Sequence, residues 1–538
     1  MVPIHMSSGK DMRVEHADGY DRRWWILGVL CLSLLVVGLD NTILNVALPT
    51  LVRDLNASTS QLQWMVDSYV LVFAGLLLTT GSLSDRFGRR KALSLGLVIF
   101  GVGSVMSAFA GSSTALIGTR ALMGIGGALI MPSTLSILTN VFPAEERGRA
   151  IGIWAGVSGL GIAIGPIVGG WLLSHFWWGS VFLVNVPVVV VALIAGRLIV
   201  PDSKDPHPSA LDPVGAVLSI VGLVSLVYGI IEAPGHGWTS PETLLTLGFA
   251  LLVLAAFAVW EFRSDHPMLD VTFFENRRFT AANISIVMVF FALFGSLFFL
   301  TQYLQFVLGY TALEAGIRIA PLALVLMVSA PLAGRLTARV GNKVLVAAGL
   351  AMVATGLGFL GMMTVDSGYG HVLIGLGILG LGMGTAMVPA TESIMGSLPL
   401  AKAGVGSALN DTTRQVGGAL GVAILGSIFA SSYGSHIVSS LRGLPSSSIA
   451  AATNSVGAAL AIGAKIGGEQ GAAIVDGAKT SFIHAMDRGL LVGAGIALLG
   501  SVVSLIWLPN RAAEARPVQP EEATPREPAL AMEGQRAE

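Results

Sequence analysis

The stretch Gly81-Ser-Leu-Ser-Asp-Arg-Phe-Gly-Arg-Arg-Lys91 is a short charged loop between two long apolar segments. It has a counterpart 253 residues later, Gly334-Arg-Leu-Thr-Ala-Arg-Val-Gly-Asn-Lys-Val344. Five positions correspond: Gly81, Leu83, Arg86, Gly88 and Arg90 match Gly334, Leu336, Arg339, Gly341 and Lys343. Loops rich in glycine and arginine are common, but these two both follow the second apolar segment of a six-segment block. The chain is therefore predicted to be an internal duplication, which is typical of transporters whose halves move about a central site.

The composition indicates that most of the chain lies in a membrane. Of its 538 residues, 53 % are hydrophobic and 12 % are charged, whereas a soluble domain has about 25 % charged residues. The 67 glycines suit closely packed membrane helices. A net charge of −1 gives no electrostatic basis for nucleic-acid binding, and the single cysteine, Cys31, excludes a disulfide framework and a cysteine-ligated zinc site.

Apolar segments of ~20 residues, the length that crosses ~30 Å of hydrocarbon, occur fourteen times. The first six are placed at 25–47, 62–81, 92–111, 114–138, 149–173 and 178–198, an inserted pair at 213–232 and 243–261, and the last six at 279–303, 313–335, 343–364, 371–395, 403–430 and 487–508. The predicted fold is an all-α integral membrane protein with two six-helix halves, 25–198 and 279–508, and a two-helix insert within 199–278.

The remaining segments are expected outside the membrane. Residues 1–24 are interpreted as a cytoplasmic N-terminal tail, and residues 509–538 as a disordered cytoplasmic tail rich in proline, glutamate and alanine. Residues 431–485 are expected to form a long external loop that is peripheral to the membrane, because their apolar stretches are too short and interrupted to span it. Two additional spans in this segment are the alternative.

The basic residues set the orientation. With the N-terminus inside, 23 of the 31 lysine and arginine residues fall on the cytoplasmic side, five fall outside and three lie within spans. Because short loops rich in these residues stay in the cytoplasm, both termini are predicted to be cytoplasmic. We expect a multi-pass protein of a bacterial cell (inner) membrane, acting as a monomer.

These features resemble the major facilitator superfamily. The loop from Gly81 to Lys91 is similar to the cytoplasmic loop motif of that family, and the two-helix insert is similar to its fourteen-span drug:proton antiporter branch, which includes multidrug exporters of the quaternary-ammonium type. Segments Gly161–Gly170 and Arg414–Gly421 also resemble patterns of this branch. The resemblance implies proton-coupled export of amphipathic or cationic drugs by alternating access, with no cofactor. An exporter or flippase of an endogenous lipid or metabolite on the same fold is the alternative.

The resemblance also implies mechanical roles for two glycine-rich segments. The loop residues Gly81, Asp85, Arg86, Gly88, Arg89 and Arg90 would form a latch that closes the cytoplasmic side in the outward-facing state. Ala338 stands at the place of Asp85 in the second copy, so a weaker latch is expected there. In the fifth span, Gly161, Gly165, Pro166, Gly169 and Gly170 would form a hinge at the moving interface, although small residues at four-residue spacing also serve helix packing alone.

A charged side chain within a membrane span costs at least ~2.5–3.5 kcal/mol, so each one needs a partner or a function. With ~1.5 Å of rise per residue, Asp40 and Arg120 are predicted to lie at one depth in the outer half of the membrane, where they can pair. Burial favours the neutral carboxyl and a nearby guanidinium favours the charged one. We therefore interpret Asp40 as a proton-coupling residue held by Arg120. A static ion pair that ties two helices together is the alternative.

Three other acidic residues lie within spans. Asp67 stands between the aromatic residues Trp64 and Tyr69, which would suit an organic cation; it could instead cap polar contacts near the outer surface. Asp411 is a second proton-coupling candidate, or it is neutralised by Arg414 three residues later on the same helix. Glu392, near a cytoplasmic helix end, is interpreted as a solvated charge. Phe298 could line an apolar drug pocket, and lipid-facing packing is its alternative.

Other classes of protein fit less well. A membrane-embedded enzyme would need clustered metal ligands or a nucleophile with a base, but the nine histidines are scattered without metal-ligand spacing. We therefore predict no catalytic residues and no metal site. The chain has no Walker A loop to bind ATP. The expected partners are small amphipathic or cationic substrates, protons and the lipid bilayer, and no nucleic acid.

Overall fold

The computed structural model describes residues 20–204, 211–265, 267, 269, 271–398 and 403–509. Within these ranges the chain is helical nearly throughout and contains no strand. The predicted tails at 1–24 and 509–538 lie almost wholly outside the described residues.

The helices follow the predicted order. The N-terminal half comprises α1 (Arg23–Leu55), α2 (Thr59–Phe87), α3 (Arg89–Ala108), α4 (Ser113–Val141), α5 (Ala144–His175), α6 (Ser180–Leu183) and α7 (Asn185–Ile199). The insert comprises α8 (Pro213–His236) and α9 (Pro241–Arg263). The C-terminal half comprises α10 (Arg277–Gln302), α11 (Ala312–Val340), α12 (Asn342–Leu360), α13 (Tyr369–Met395), α14 (Ala403–Ile437), α15 (Ser446–Asn454), α16 (Val456–Ile466) and α17 (Gly468–Trp507).

The number of membrane-spanning helices is roughly consistent with the predicted fourteen spans. Among the described residues, twelve are long and apolar enough to cross a membrane, and α2 makes a thirteenth when its two segments, Thr59–Leu77 and Thr79–Phe87, are taken as one span. The fifth predicted span corresponds to α5, which has 32 residues. The all-α fold with two six-helix halves and an inserted pair is thus confirmed.

Local signals that start the helices recur at the offset of the sequence repeat. α2 begins after a capping box in which the side chains of Ser58 and Gln61 bond each other's backbone N–H groups. α11 begins after the same arrangement of Thr311 and Glu314. Each member of the second pair lies 253 positions after its equivalent, so the duplication extends to helix capping.

Each half packs mainly within itself. In the N-terminal half, α2 and α3 pack on α4, and α1 packs on α5. In the C-terminal half, α13 packs on α11 and α12, α10 packs on α14, and α12 packs on α17. The pairs α5–α11 and α2–α14 join the two halves, while α8 of the insert contacts both α2 and α14.

We call the end of the bundle that carries the turns at 56–58, 109–112, 176–179, 237–240 and 308–311 the distal end. Contacts between the halves lie near it. Gln305 Nε2 donates to the Val46 carbonyl at 3.0 Å, and Thr59 Oγ1 donates to the Asn454 carbonyl at 3.1 Å. Gly170 of α5 lies against the backbone of α11. The structure is therefore closed at its distal end.

Residues 431–485, expected as an external loop, are largely helical. α14 continues to Ile437, α15 and α16 follow, and α17 begins at Gly468 rather than near residue 487. The break before α17 falls at Gly467 and Gly468, whose φ values are 64° and 60°, a region that favours glycine. α16 has 11 residues, which is too short to cross a membrane.

Candidate proton and substrate site

Asp40 on α1 and Arg120 on α4 form an ion pair in the core of the N-terminal half. Arg120 Nη1 donates to Asp40 Oδ2, and the side chains are 2 % and 0 % exposed for Arg120 and Asp40. Arg120 Nε donates to the Met65 carbonyl of α2 at 3.0 Å. The predicted pairing is confirmed, and it connects three helices rather than two.

The second oxygen of Asp40 faces a residue that sequence reasoning missed. Asn185 Nδ2, at the start of α7, lies 3.5 Å from Asp40 Oδ1 and 3.3 Å from Ser104 Oγ. A lone amide in the apolar run Val181–Val191 was the available signal, because an amide in hydrocarbon requires a hydrogen-bond partner. Asn185 thus brings the sixth span into the site.

The ring of Tyr69 packs against the Arg120 side of the ion pair. Its ring lies 4.5 Å from the Arg120 guanidinium carbon, measured to the ring centroid, and the residue is fully buried. Such a contact stabilises the cation through the face of the ring. Tyr69 was predicted to bind substrate; in this conformation its ring is occupied by Arg120.

Asp67 is fully buried, and neither of its carboxylate oxygens has a hydrogen-bond partner among the described residues. This does not fit the alternative in which Asp67 caps polar contacts near the surface. A buried carboxylate without a partner is costly in its charged form. The position therefore suits a group that is protonated or that meets a cation during the transport cycle.

Trp64 faces the insert instead of the ion pair. Its Nε1 donates to Glu232 Oε1 at 3.1 Å, and its ring packs on Tyr228 with centroids 6.0 Å apart. Of the predicted substrate residues, Trp64 and Tyr69 thus face different neighbours. Sequence spacing alone cannot show this, because it does not reveal which neighbour each helix face meets.

Near Trp64, the insert contains a cleft of about 180 Å³ between α8 and α9. Glu232, Tyr228, His236, Glu242 and Thr243 are among its lining residues. None of these was selected as a candidate from the sequence. The cleft lies beside the N-terminal half rather than between the two halves.

Phe298 of α10 is fully buried within the C-terminal half. Its ring meets that of Phe299 with centroids 5.7 Å apart, and Phe299 packs on Phe429 of α14. Phe298 therefore does not face lipid, which was its alternative position. Its role in substrate binding stays a prediction.

Asp411 and Arg414 pair within α14. Asp411 Oδ1 lies 3.7 Å from Arg414 Nη1, and the two side chains are 11 % and 29 % exposed. Arg414 also lies over the ring of Phe290. The local neutralisation considered from the sequence is the observed geometry. Unlike Asp40 and Arg120, the two charged residues lie on one helix, and Arg414 reaches other helices only through the Phe290 ring of α10 and through Thr391 Oγ1 of α13, 3.5 Å from its Nη2.

The predicted latch is held within the N-terminal half. Asp85 Oδ1 accepts from Arg89 Nε at 2.7 Å, and Arg90 Nη2 lies 3.8 Å from Asp202 Oδ2 in the segment after α7. Gly88 separates α2 from α3 with φ of 115°, and such a backbone favours glycine. Gly81 and Arg86 lie on the last two turns of α2. The latch function stays a prediction.

The predicted hinge residues face two different helices. Gly161, Gly165 and Gly169 lie against the backbone of α1 over Gly38–Ile43, and Gly170 lies against α11. The carbonyl of Pro166 is approached by Gly316 of α11. The segment thus packs against its own half and the opposite half at once, as a moving interface would require.

Two other charged residues considered from the sequence, Arg318 and Glu392, lie outside the site. Arg318 lies 4.0 Å from Glu314 one turn earlier and stacks over Tyr310, while Glu392 is exposed. Among the described residues, no group of three or more histidine, cysteine, aspartate or glutamate side chains could hold a metal ion.

The sequence is similar to those of several drug-resistance transporters. It is 36 % identical over 483 residues to the multidrug efflux pump LfrA of Mycolicibacterium smegmatis, covering 90 % of this chain and 95 % of that protein. It is 34 % identical to the tetracenomycin C resistance and export protein of Streptomyces glaucescens, with 94 % of each chain covered. The methyl viologen resistance protein SmvA of Salmonella typhimurium is 34 % identical, with 89 % and 97 % covered.

The fold is similar to that of a bacterial homolog of the human lysosomal transporter Spinster in an inward-facing, unoccupied conformation. The TM-score is 0.64 at 20 % identity, covering 93 % of this chain and all of that one. Residues 30–422 match the family described as the Major Facilitator Superfamily. This match spans most of the chain, and with the relatives above it shows that the protein belongs to the major facilitator superfamily.

Proposed function

We propose that this protein is a proton-coupled antiporter that exports amphipathic or cationic drugs by alternating access. The observation that carries the proposal is the buried Asp40–Arg120 pair, which connects α1, α2 and α4. Relatives named for multidrug efflux and for methyl viologen resistance support the substrate class. The proposed location is the inner membrane of a bacterium, with both termini in the cytoplasm and the protein acting as a monomer.

Protonation of Asp40 would switch the pair. When the carboxylate is charged, Arg120 holds α1 against α4. When Asp40 accepts a proton it loses its charge, and the attraction between the two side chains falls. Arg120 then keeps the Met65 carbonyl and the Tyr69 ring as partners. Because those partners lie on α2, protonation would release α1 while α2 and α4 stay joined.

Asp67 is the proposed acidic partner of a cationic substrate. It lies on α2, whose residues Met65 and Tyr69 contact Arg120, and its carboxylate has no partner among the described residues. A bound cation would supply the missing charge, and a proton would satisfy the same oxygens in its absence. Competition between cation and proton for one carboxylate would couple their movements in opposite directions.

The proposal is tested by uptake of a fluorescent lipophilic cation into inside-out vesicles energised by a proton gradient. We expect wild-type uptake that an uncoupler abolishes and that Asp40→Asn removes. Asp54→Asn is the matched control, because Asp54 lies on the same helix but is exposed; it should retain uptake.

Two outcomes would contradict parts of the proposal. If gradient-driven uptake survives in Asp40→Asn, the protein would still be an antiporter, but its proton-coupling carboxylate would be Asp67 or Asp411 instead of Asp40. Failure of the wild type to transport this and other amphipathic dyes would favour export of an endogenous lipid or metabolite.

A further inference from the structure

Helix α8 of the insert contains a proline within its last turn, Pro234. Proline has no N–H, so the carbonyl four residues earlier, that of Ile230, loses its helical hydrogen bond. Ser427 of α14 donates its hydroxyl to this carbonyl at 2.7 Å. Ser427 is fully buried, and so the C-terminal half satisfies a group that the insert alone cannot.

The same serine lies where the two halves meet. Gln63 of α2 is fully buried, and its Nε2 donates to the carbonyls of Val422 and Ala423 at 3.1 and 3.0 Å, 3.5 Å from Ser427 Oγ. Gly426 makes room for this amide, because a Cβ there would come within 2.5 Å of Gln63 Nε2. The N-terminal half, the C-terminal half and the insert therefore meet around Ser427.

The insert packs on both halves through α8, which lies against α2 and against α14. Along α2, Ile220 of α8 lies against Gly75 and Glu232 bonds Trp64, so the contact runs over 12 residues of α8, about 18 Å. Among the described residues, its hydrogen bonds with α14 lie near the distal end, at Ser427 and at Ser431, which accepts from Trp238. If α2 and α14 separate, α8 has to leave one of them and loses its contacts on that side.

We call the contact of α2 and α8 with α14 around Ser427 the distal gate. We propose that Ser427 is a positioning residue of this gate: its hydroxyl bonds the Ile230 carbonyl that Pro234 leaves without a helical partner, and this bond stabilises the closed gate. In this proposal the insert moves with the N-terminal half, so the Ile230 carbonyl loses its hydrogen bond to Ser427 each time the distal end opens. In a membrane such a group needs an internal partner, so the pair biases the protein toward the distally closed state. The inference uses the alternating access of the proposed function, but neither its substrate nor its proton coupling.

The test measures how often the distal end is open. Spin labels are placed on exposed distal turns of the two halves, by Ser112→Cys and Asp366→Cys in a Cys31→Ser background, and their separation is measured by double electron–electron resonance in nanodiscs. Ser427→Ala should raise the ratio of open to closed molecules about threefold, the factor that corresponds to an average hydrogen bond between membrane helices.

A second substitution distinguishes the hydrogen bond from general packing. In the Ser427→Ala background, Pro234→Ala restores the N–H that can bond the Ile230 carbonyl within α8, and it should return the ratio toward the wild-type value. Ser427→Thr, which keeps the hydroxyl, should stay near wild type. Ser431→Ala removes a more exposed hydroxyl one turn away and should change the ratio little.

Several results would overturn the inference. They are an unchanged ratio in Ser427→Ala, a raised ratio that Pro234→Ala does not lower, or a Ser427→Thr protein that behaves like Ser427→Ala. A shifted ratio that Pro234→Ala reverses would support the gate even if the protein transported no drug, so the failure of the proposed function would be recognised separately.

Discussion

The two halves of this transporter share their backbone design and differ in their charges. Both begin their second helix with a capping box and end it at a glycine of positive φ, Gly88 or Gly341, at equivalent positions. After Gly88, Arg89 pairs with an acid, Asp85. After Gly341, Asn342 donates instead to the Pro389 carbonyl and Ser393 Oγ of α13, without any charge.

The same contrast holds in the membrane core. The N-terminal half joins different helices by the Asp40–Arg120 pair, whereas the C-terminal half keeps Asp411 and Arg414 on one helix. An ion pair between helices can change their relative position when it titrates, and a pair within one helix cannot do so directly. Duplication thus preserved the scaffold, and we infer that coupling became concentrated in the N-terminal half.

The largest expected effect comes from removing Arg120. Arg120→Met leaves Asp40 buried without its partner, which costs about 3–5 kcal/mol and should abolish export. The comparable removal in the other half, Arg414→Met, should cost less, about 1–3 kcal/mol, because Asp411 is also buried but its contact with the partly exposed Arg414 is longer, at 3.7 Å. Thermal unfolding in detergent and vesicle uptake would measure both. Equal losses of stability and uptake in the two variants would contradict the proposed difference between the two ion pairs.

The shared backbone predicts equal effects at the two positive-φ glycines. Gly88→Ala and Gly341→Ala should each destabilise the protein by about 1–2 kcal/mol, because an L residue is strained at these φ values. Denaturation midpoints of the two variants would show this. Gly111→Ala, at a distal turn without positive φ, is the control. A large difference between the two variants would mean that the copies are not equivalent in backbone.

The substitution Asp411→Asn tests the difference between the ion pairs of the two halves in the membrane core. We expect drug uptake to fall about fivefold or less, the factor for losing a partly exposed ion pair, while Asp40→Asn abolishes it. Uptake rates measured at matched expression would test this. A complete loss in Asp411→Asn would place a second coupling site in the C-terminal half.

The smallest effect is expected in the loop. Asp85→Asn removes an ion pair whose side chains are 15 % and 29 % exposed, and it should cost ~0.5 kcal/mol or less of stability. By the latch hypothesis it should nevertheless lower the uptake rate, and Asp202→Asn, which loses a longer contact with Arg90, should do so less. Normal uptake in Asp85→Asn would show that Asp85 gives the first loop no functional advantage over the second loop, where Ala338 stands at this place.

The sequence was sufficient for the features that depend on length, period and depth. Most of the membrane-spanning helices follow from apolar segment length, and the Asp40–Arg120 pair follows from helical rise, because both residues had to lie at one depth. Which neighbouring helix each side chain contacts could not be predicted in this way. Trp64 and Tyr69 are five residues apart on α2, yet one meets the insert and the other meets Arg120.

Features that depend on two distant segments were also missed. The link between Ser427 and Ile230 joins positions 197 residues apart, and nothing local to Ser427 marks it. Pro234 was visible as a helix-interrupting residue, but its consequence depends on which hydroxyl lies opposite. The helices within 431–485 were missed because a chain rich in alanine, glycine and serine gives a weak signal until it packs against α17 and α1.

The anchoring of Arg120 has an electrical consequence. Its bonds to Met65 and Tyr69 would keep the guanidinium in place when Asp40 is protonated, so the paired core would change from neutral to a net charge of about +1. Membrane voltage acts on such a charge with about 2.3 kcal/mol per 100 mV. Under the proposed mechanism, the cycle would therefore respond to voltage even when the exported molecule itself is uncharged.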